Sequence, residues 1–257
     1  MKSVSVVMPV LAPTAWLAEL AEFAIRTLIL TAKNPFELIV VEAVHNTFSP
    51  EEWASNPMPL ERYQYLNFNP KLGGVKEINA GIAAAHGEFV VTAGTDVIAP
   101  QDWDEHLLRV FEERPNDCGV ASLSAFEPNA TIGPPVPCDM IVEGMFSPFM
   151  MFRRGWNFDE AFRRVYQDSD LIMRMYENRL RAYRSCRAHV WHLGSVTNKS
   201  VDTAEHDRQL AVDERLFYQR WGKNPTAMFG MIRAGQMAYG REHLAWQVGI
   251  HRHECRH

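Results

Sequence analysis

Short runs of β-branched and apolar residues alternate with longer stretches of apolar residues at helical spacing, and this alternation organises most of positions 1–200. Residues 3–10 predict a strand. Residues 15–31 then place Trp16, Leu20, Phe23 and Leu28 on a helical repeat. Residues 36–41 predict a second strand, closed by Glu42, and residues 63–68 alternate weakly as a third. After Gly73 and Gly74 a helix is expected from about Val75 to Ala85, followed by a short buried strand ending near Ala93. A helix carrying Trp103, Leu107, Leu108 and Phe111 follows Pro100. This order implies a parallel sheet with right-handed crossovers. Residues 125–137 are rich in Pro, Gly and Asn and read as a loop, and apolar segments resume at Ile141 and over 149–152. A helix over 169–180 and a short strand over 188–193 complete the pattern, and beyond Asn198 only helices are expected, including 205–221. The expected layout is one α/β domain over residues 1–200 and a helical C-terminal extension with a polar tail over 201–257.

The chain has 257 residues, 47% hydrophobic and 22% charged, with a net charge of −5. Those values fit a globular domain with a sizeable core and argue against a broad electrostatic grip on nucleic acid or an anionic membrane. Pro9 and Pro13 interrupt the apolar start, so residues 3–10 read as a strand and not as a leader segment. No apolar run approaches the roughly 18 residues of a membrane span. Cys118, Cys138, Cys186 and Cys255 form no C-x-x-C pair, a spacing that suits free thiols in a reducing compartment; the expected location is cytoplasmic.

Chemistry concentrates where strands release their chain. Residues 88–97 run from a buried strand into Gly94-Thr95-Asp96, and an acid at the carboxyl end of a parallel strand is placed to meet a ligand or its metal; a turn former or helix N-cap is the competing reading. Glu42 ends the second strand at a similar height, as a ribose or base acceptor or a solvated loop acid. Asp168 and Asp170 stand at a helix start, where the helix dipole favours negative charge, and capping by Asp168 explains much of that. His192 ends an apolar strand, as a structural histidine or a metal ligand.

The order of these segments is more specific than any one of them. Gly73-Gly74-Val75-Lys76-Glu77-Ile78-Asn79-Ala80-Gly81, then Thr95-Asp96, Phe158-Asp159-Glu160-Ala161-Phe162, Gln167-Asp168-Ser169-Asp170-Leu171 and His192 resemble the family 2 glycosyltransferases, with a weaker echo in residues 217–222. The resemblance runs from Ser3 to about Thr197. It implies a GT-A fold, α/β with a mostly parallel sheet flanked by helices and a small helical C-terminal appendage. It further implies an inverting, metal-dependent enzyme that moves one sugar from a nucleoside diphosphate sugar, by default a UDP-sugar, to an acceptor hydroxyl.

Carried over position by position, the resemblance gives Pro9, Val10, Ala12 and Glu42 to the nucleoside pocket, where the family usually has Asp at the Glu42 position. Gly73, Asn79 and Gly81 match the segment that passes the nucleotide and packs the next helix, and Lys76 reaches the diphosphate or is a solvated helix lysine. Thr95 and Asp96 match the end of the D-x-D motif, with Gly94 in place of its first acid. Asp96 and His192 are then the protein ligands of a Mn²⁺ or Mg²⁺ ion. Asp168 matches the general base, with Gln167 in place of the usual Glu, and Asp170 and Arg174 orient the base or face the acceptor. The implied partners are the nucleotide-sugar donor and an acceptor hydroxyl, with no transmembrane segment. Two rival readings are a nucleotide-sugar-binding protein without turnover, suggested by Gly94 and Gln167, and a sugar nucleotidyltransferase, whose glycine-rich basic signature is absent from residues 11–14.

Overall fold

The structure is a computed structural model that describes residues 2–43, 60–68, 73–126, 137–144, 148–163, 165–194 and 203–222. Five helices among these residues flank a nine-stranded sheet. The strands are β1 (Val4–Val10), β2 (Phe36–Ala43), β3 (Leu60–Phe68), β4 (Phe89–Ala93), β5 (Val97–Ile98), β6 (Cys118–Phe126), β7 (Ile141–Glu143), β8 (Phe149–Arg153) and β9 (Arg181–His192). The helices are α1 (Ala15–Thr31), α2 (Gly74–Ala84), α3 (Trp103–Glu113), α4 (Gln167–Glu177) and α5 (Thr203–Trp221).

The sheet order is β3-β2-β1-β4-β8-β6-β9-β5, with β7 also paired to β9. Strands β3, β2, β1 and β4 are mutually parallel, as the strand-helix alternation requires. Strand β8 departs from that expectation: it runs antiparallel between β4 and β6, which restores the direction of β4 to β6 and β9. Strand β6 escapes the apolar pattern because it is built from small residues, CGVASLSAF. Its buried Ser122 and Ser124 donate to the carbonyls of Tyr183 and Ser185, so the hydroxyls enter the core hydrogen-bonded. Strand β9 begins at Arg181, well before the short strand expected at its end.

Two apolar layers sandwich the sheet. On one face α1 and α3 pack through Leu17, Ile25, Leu28, Trp103 and Leu107. On the other, α2, α4 and α5 pack through Val75, Ile82, Leu171, Ile172 and Phe217. Gly81 lets α2 lie close to the sheet, since a Cβ there would fall 2.5 Å from Val7 Cγ1 and 2.7 Å from Val41 Cγ2. Gly119 does the same for α4: a Cβ would sit 2.9 Å from Leu180 Cβ and 3.0 Å from Met175 Sδ. Met175 therefore lies beside the start of β6, at the amino edge of the sheet. Helix α4 rises about 1.5 Å per residue, so its first turn, seven residues earlier, stands about 10 Å nearer the carboxyl edge.

Cys118 and Cys186 are buried, and burial pushes both thiols above the usual range, whereas Cys138, expected as a free thiol, is disulfide-bonded. Most of the 125–137 loop and the polar tail, including Cys255, lie outside the described residues. No described helix is long and apolar enough to cross a membrane.

Candidate active site at the carboxyl edge of the sheet

Register alone brings three expected positions together. Val10 of β1 pairs with Glu42 of β2, and Val7 pairs with Thr92 of β4, so Val10, Glu42 and the turn after β4 lie at one height. Glu42 falls inside β2, fully buried, and accepts a 2.5 Å hydrogen bond from the Tyr65 hydroxyl, which in turn accepts from Asn67 Nδ2 at 2.9 Å. Burial and the bond to Glu42 push the Tyr65 phenol up to about 12, so it stays a donor at physiological pH. Val10 and Ala12 place their side chains in the core on the α1 face, and Pro9 is half-buried beside them.

The turn after β4 closes through Val97 N to Gly94 O, 3.3 Å, and Gly94 N to Pro148 O, 2.7 Å. Asp96 is a turn residue here and not a helix cap, because the N-cap of α3 is Asp102. Strand β5 pairs Val97 with His192, and Leu193 N donates to Asp96 O at 3.0 Å. The ends of β4 and β9 are thereby tied, and His192 Nε2 lies 3.4 Å from Asp96 Oδ2 with both side chains buried. Two neighbouring ligands at about 2.1 Å from one divalent ion such as Mg²⁺ stand about 3.0–3.4 Å apart, so the pair fits a shared ion. Among the described residues no group of three His, Cys, Asp or Glu converges on a metal position. The remaining coordination would come from substrate oxygens and water. Gly94 leaves Asp96 room, since a Cβ there would approach Asp96 Oδ1 to 3.0 Å.

Helix α4 brings the second pair of acids. Asp168 and Asp170 both lie in its first turn, and the N-cap is Tyr166, whose side chain makes no capping bond. Asp168 is thus not the cap, although its Oδ1 accepts from Ser169 N at 2.7 Å, satisfying one of the free amides of that turn. Its carboxylate is half-buried and has no other hydrogen bond among the described residues.

Asp170 is fully buried and saturated. Arg174 Nε donates to Oδ2 at 2.8 Å, while Arg220 (2.7 Å) and the Trp221 indole (3.1 Å) donate to Oδ1. Arg220 also reaches Asp159 Oδ2 at 2.7 Å, and Arg174 reaches the carbonyl of Asn157 at 2.8 Å. Burial opposes ionisation of Asp159, but its bonds from Ala161 N and Arg220 outweigh that and hold its carboxyl below the ordinary 3.8. Arg220, Trp221 and Asp159 were not singled out by residue chemistry; the segments that carry them, 158–162 and 217–222, were visible only as fragments of a pattern. The structure supplies their function, which is to hold Asp170.

The same C-terminal helix braces the turn before α4. Asp213 accepts from the backbone amides of Arg163 and Val165, each at 3.0 Å, and Phe217 packs on Tyr166 with ring centroids 5.9 Å apart. Tyr166 sits at φ 63°, ψ −2°, a left-handed conformation costly for a bulky residue, so the bracing holds a strained turn beside Asp168.

The remaining expected residues divide. Gly73 caps α2 at φ 109°, where an L side chain is strained, and its amide donates to Glu77 Oε1 at 3.2 Å. Lys76 is exposed on α2, and its side chain makes no hydrogen bond or ion pair among the described residues. The amide of Asn79 is spent on the backbone of Phe158, accepting at 3.0 Å and donating at 2.8 Å, and on Glu160 at 3.2 Å. It ties α2 to the 158–162 segment. Thr95 is buried in the turn. Thr92 Oγ1 and Gln167 Oε1 are buried without a hydrogen bond among the described residues.

No curated protein sequence matches the chain. The sequence model of glycosyl transferase family 2 matches residues 5–172. Among solved structures the chain is similar to the 1–349 fragment of S. aureus TarS, with a TM-score of 0.58 and 15% identity over 90% of this chain and 74% of that one. The same fragment in complex with UDP-GlcNAc aligns at 0.57 and 14% identity, over 89% and 75% of the two chains. The mannosyltransferase PcManGT from Pyrobaculum calidifontis, in complex with GDP-Man and Mn²⁺, aligns at 0.62 and 15% identity, over 93% and 71%. At these identities the likeness to the solved structures is one of fold.

Proposed function

The chain belongs to glycosyl transferase family 2 and is a glycosyltransferase of the GT-A fold, and on that premise we propose that it transfers one sugar, with inversion, from a nucleoside diphosphate sugar to an acceptor hydroxyl, with Asp168 as general base. The observation that carries the reading is the division of labour at the head of α4. Asp170 is neutralised by two guanidinium groups, whereas Asp168 keeps a half-buried carboxylate directed by a single local bond.

An inverting transfer needs one base and one displacement. The acceptor O–H gives its proton to an Asp168 oxygen as the acceptor oxygen bonds to the anomeric carbon. The bond from that carbon to the diphosphate oxygen breaks, and its electron pair leaves with the nucleoside diphosphate. Asp168 stands in the first turn of α4, where the positive end of the helix dipole favours a carboxylate. Glu42, fixed by Tyr65, offers its acceptor to the ribose or base at the end of β2, as acids do at this position in open α/β sheets. Asp96 and His192 would hold a Mn²⁺ or Mg²⁺ ion, which when bound offsets the charge of the departing diphosphate. UDP is the first nucleotide to test, since TarS is seen with UDP and UDP-GlcNAc; GDP follows, since PcManGT is seen with GDP-Man.

The test is thermal unfolding of the purified protein with UDP, GDP and dTDP, each with and without Mn²⁺. A ligand that binds only the folded state raises the melting temperature by mass action. The reading predicts a rise for one nucleotide that is larger with Mn²⁺; no rise with any combination contradicts it.

A further inference from the structure

Helix α1 buries Leu17, Ala21, Ile25 and Leu28 against the sheet, yet its outer face carries three large apolar side chains. Trp16 is 53% exposed, Phe23 50% and Leu30 68%. Each is one heptad from the next. A seven-residue step turns a helical side chain by only about 20°, so the three form nearly a straight line, about 10 Å apart. No described element covers this line, and an exposed apolar patch of a few hundred Å² is often a functional surface.

We propose that the stripe is the seam of a two-fold dimer, in which α1 packs antiparallel against α1 of a second copy. The pattern is self-complementary about Phe23. A two-fold axis there sets Phe23 against the partner's Phe23 and Trp16 against the partner's Leu30. Glu19 and Arg26 lie on the same flank of the stripe, four residues before and three after the centre, so the axis brings Glu19 level with the partner's Arg26. Arg26 already pairs with Glu22 of its own chain and would then sit between two carboxylates. In a parallel two-fold arrangement equivalent flanks fall on opposite sides of the seam, so the Glu19–Arg26 cross-pair is lost. The antiparallel arrangement also opposes the two helix dipoles. A lipid surface fits less well, because the charged flank carries Glu19 and Glu22 against the single Arg26, a net acidic edge where an interfacial helix has a basic fringe. The three side chains expose on the order of 400 Å² per chain, short of the about 800 Å² per partner of a standard interface. The expected dimer is therefore weak and concentration-dependent.

The experiment is sedimentation velocity of the full chain over roughly 5–200 μM, a range that brackets weak association, with Phe23→Lys and the charge variants Glu19→Arg, Arg26→Glu and their double mutant. Wild type should show a sedimentation coefficient that climbs with concentration, and Phe23→Lys should stay monomeric with a melting temperature close to wild type. Each single charge variant should dissociate more readily, and the double variant should recover association, because swapping both signs restores the cross-pair. A concentration-independent monomer, or association that survives Phe23→Lys, would overturn the proposal. So would flotation of monomeric wild type, but not Phe23→Lys, with phosphatidylcholine vesicles, which would assign the stripe to lipid.

Discussion

The inner side of the first turn of α4, around Asp170, and its outer side, around Asp168, are two residues apart in the chain and opposite in use. On the inner side a buried carboxylate takes three side-chain donors, two of them from the last residues of α5. On the outer side a half-buried carboxylate takes one backbone amide. The contrast teaches that a motif of two acids need not hold two acids of the same kind. One is consumed in fixing the turn, and that fixation is what leaves the other at a defined place with capacity to spare.

The amino edge of the sheet offers the same lesson without a site. Glu37 is buried there too, and it accepts from Ser5, Gln64 and both the backbone and ring of His86. Burial alone would raise its carboxyl, but those bonds outweigh it and hold the group below its usual range. A saturated buried carboxylate is a brace wherever it stands.

Removing the brace should produce the largest change in the folded state. Asp170→Ala leaves Arg174, Arg220 and Trp221 facing a buried gap, and losing one partner of a buried ion pair costs about 3–5 kcal/mol. Urea unfolding should show that loss. A cost below 1 kcal/mol would mean the network is not a brace.

Asp96→Ala should come next, read in ligand binding. If Asp96 and His192 share an ion, the variant should keep its metal-free nucleotide affinity and lose most of the gain from Mn²⁺ by calorimetry. Metal dependence equal to wild type would remove Asp96 from the ion site.

Arg220→Ala should cost less, about 1.5–3 kcal/mol, the range for hydrogen bonds to charged groups. Its pH signature is specific. Asp159 has a lowered folded pKa, so its contribution is fully present above the ordinary 3.8 and is lost as pH falls through the lowered value. The stability gap between wild type and Arg220→Ala should therefore be flat above pH 5 and shrink on acidification. A gap that is constant down to acid unfolding would separate Asp159 from Arg220.

The smallest effect is expected at Thr92, whose buried hydroxyl has no hydrogen-bond partner among the described residues. Thr92→Val should be neutral or slightly stabilising, within about 1 kcal/mol, since it removes an unsatisfied polar atom without changing shape. A clear destabilisation would show that the hydroxyl is hydrogen-bonded in solution.

The alternating pattern made most of this architecture readable. Helix α1 falls on the expected 15–31, and β1, β2, β4 and α4 lie within a few residues of expectation. Strand β6 was not readable, because Gly119, Ser122 and Ser124 lower its apolar signal and are tolerated only by virtue of partners on β9 and α4. At the site, Asp96, Glu42, Asp168 and His192 were legible as residues at element ends. The closeness of Asp96 to His192 was implied only by the family resemblance and not by the local pattern, because it depends on the two-residue strand β5 pairing with β9. Arg220 and Trp221 were beyond reach of local reasoning, since nothing within α5 indicates that its last turn meets the first turn of α4.

The most direct test of the account is the stereochemistry of slow donor hydrolysis, followed by proton NMR for wild type and Asp168→Asn with the nucleotide sugar selected by thermal unfolding. The account predicts that wild type first releases the inverted anomer and that Asp168→Asn binds the donor equally well but turns over about 10²–10⁴-fold more slowly, the usual contribution of a general base. A retained anomer, or undiminished turnover in Asp168→Asn, would contradict it.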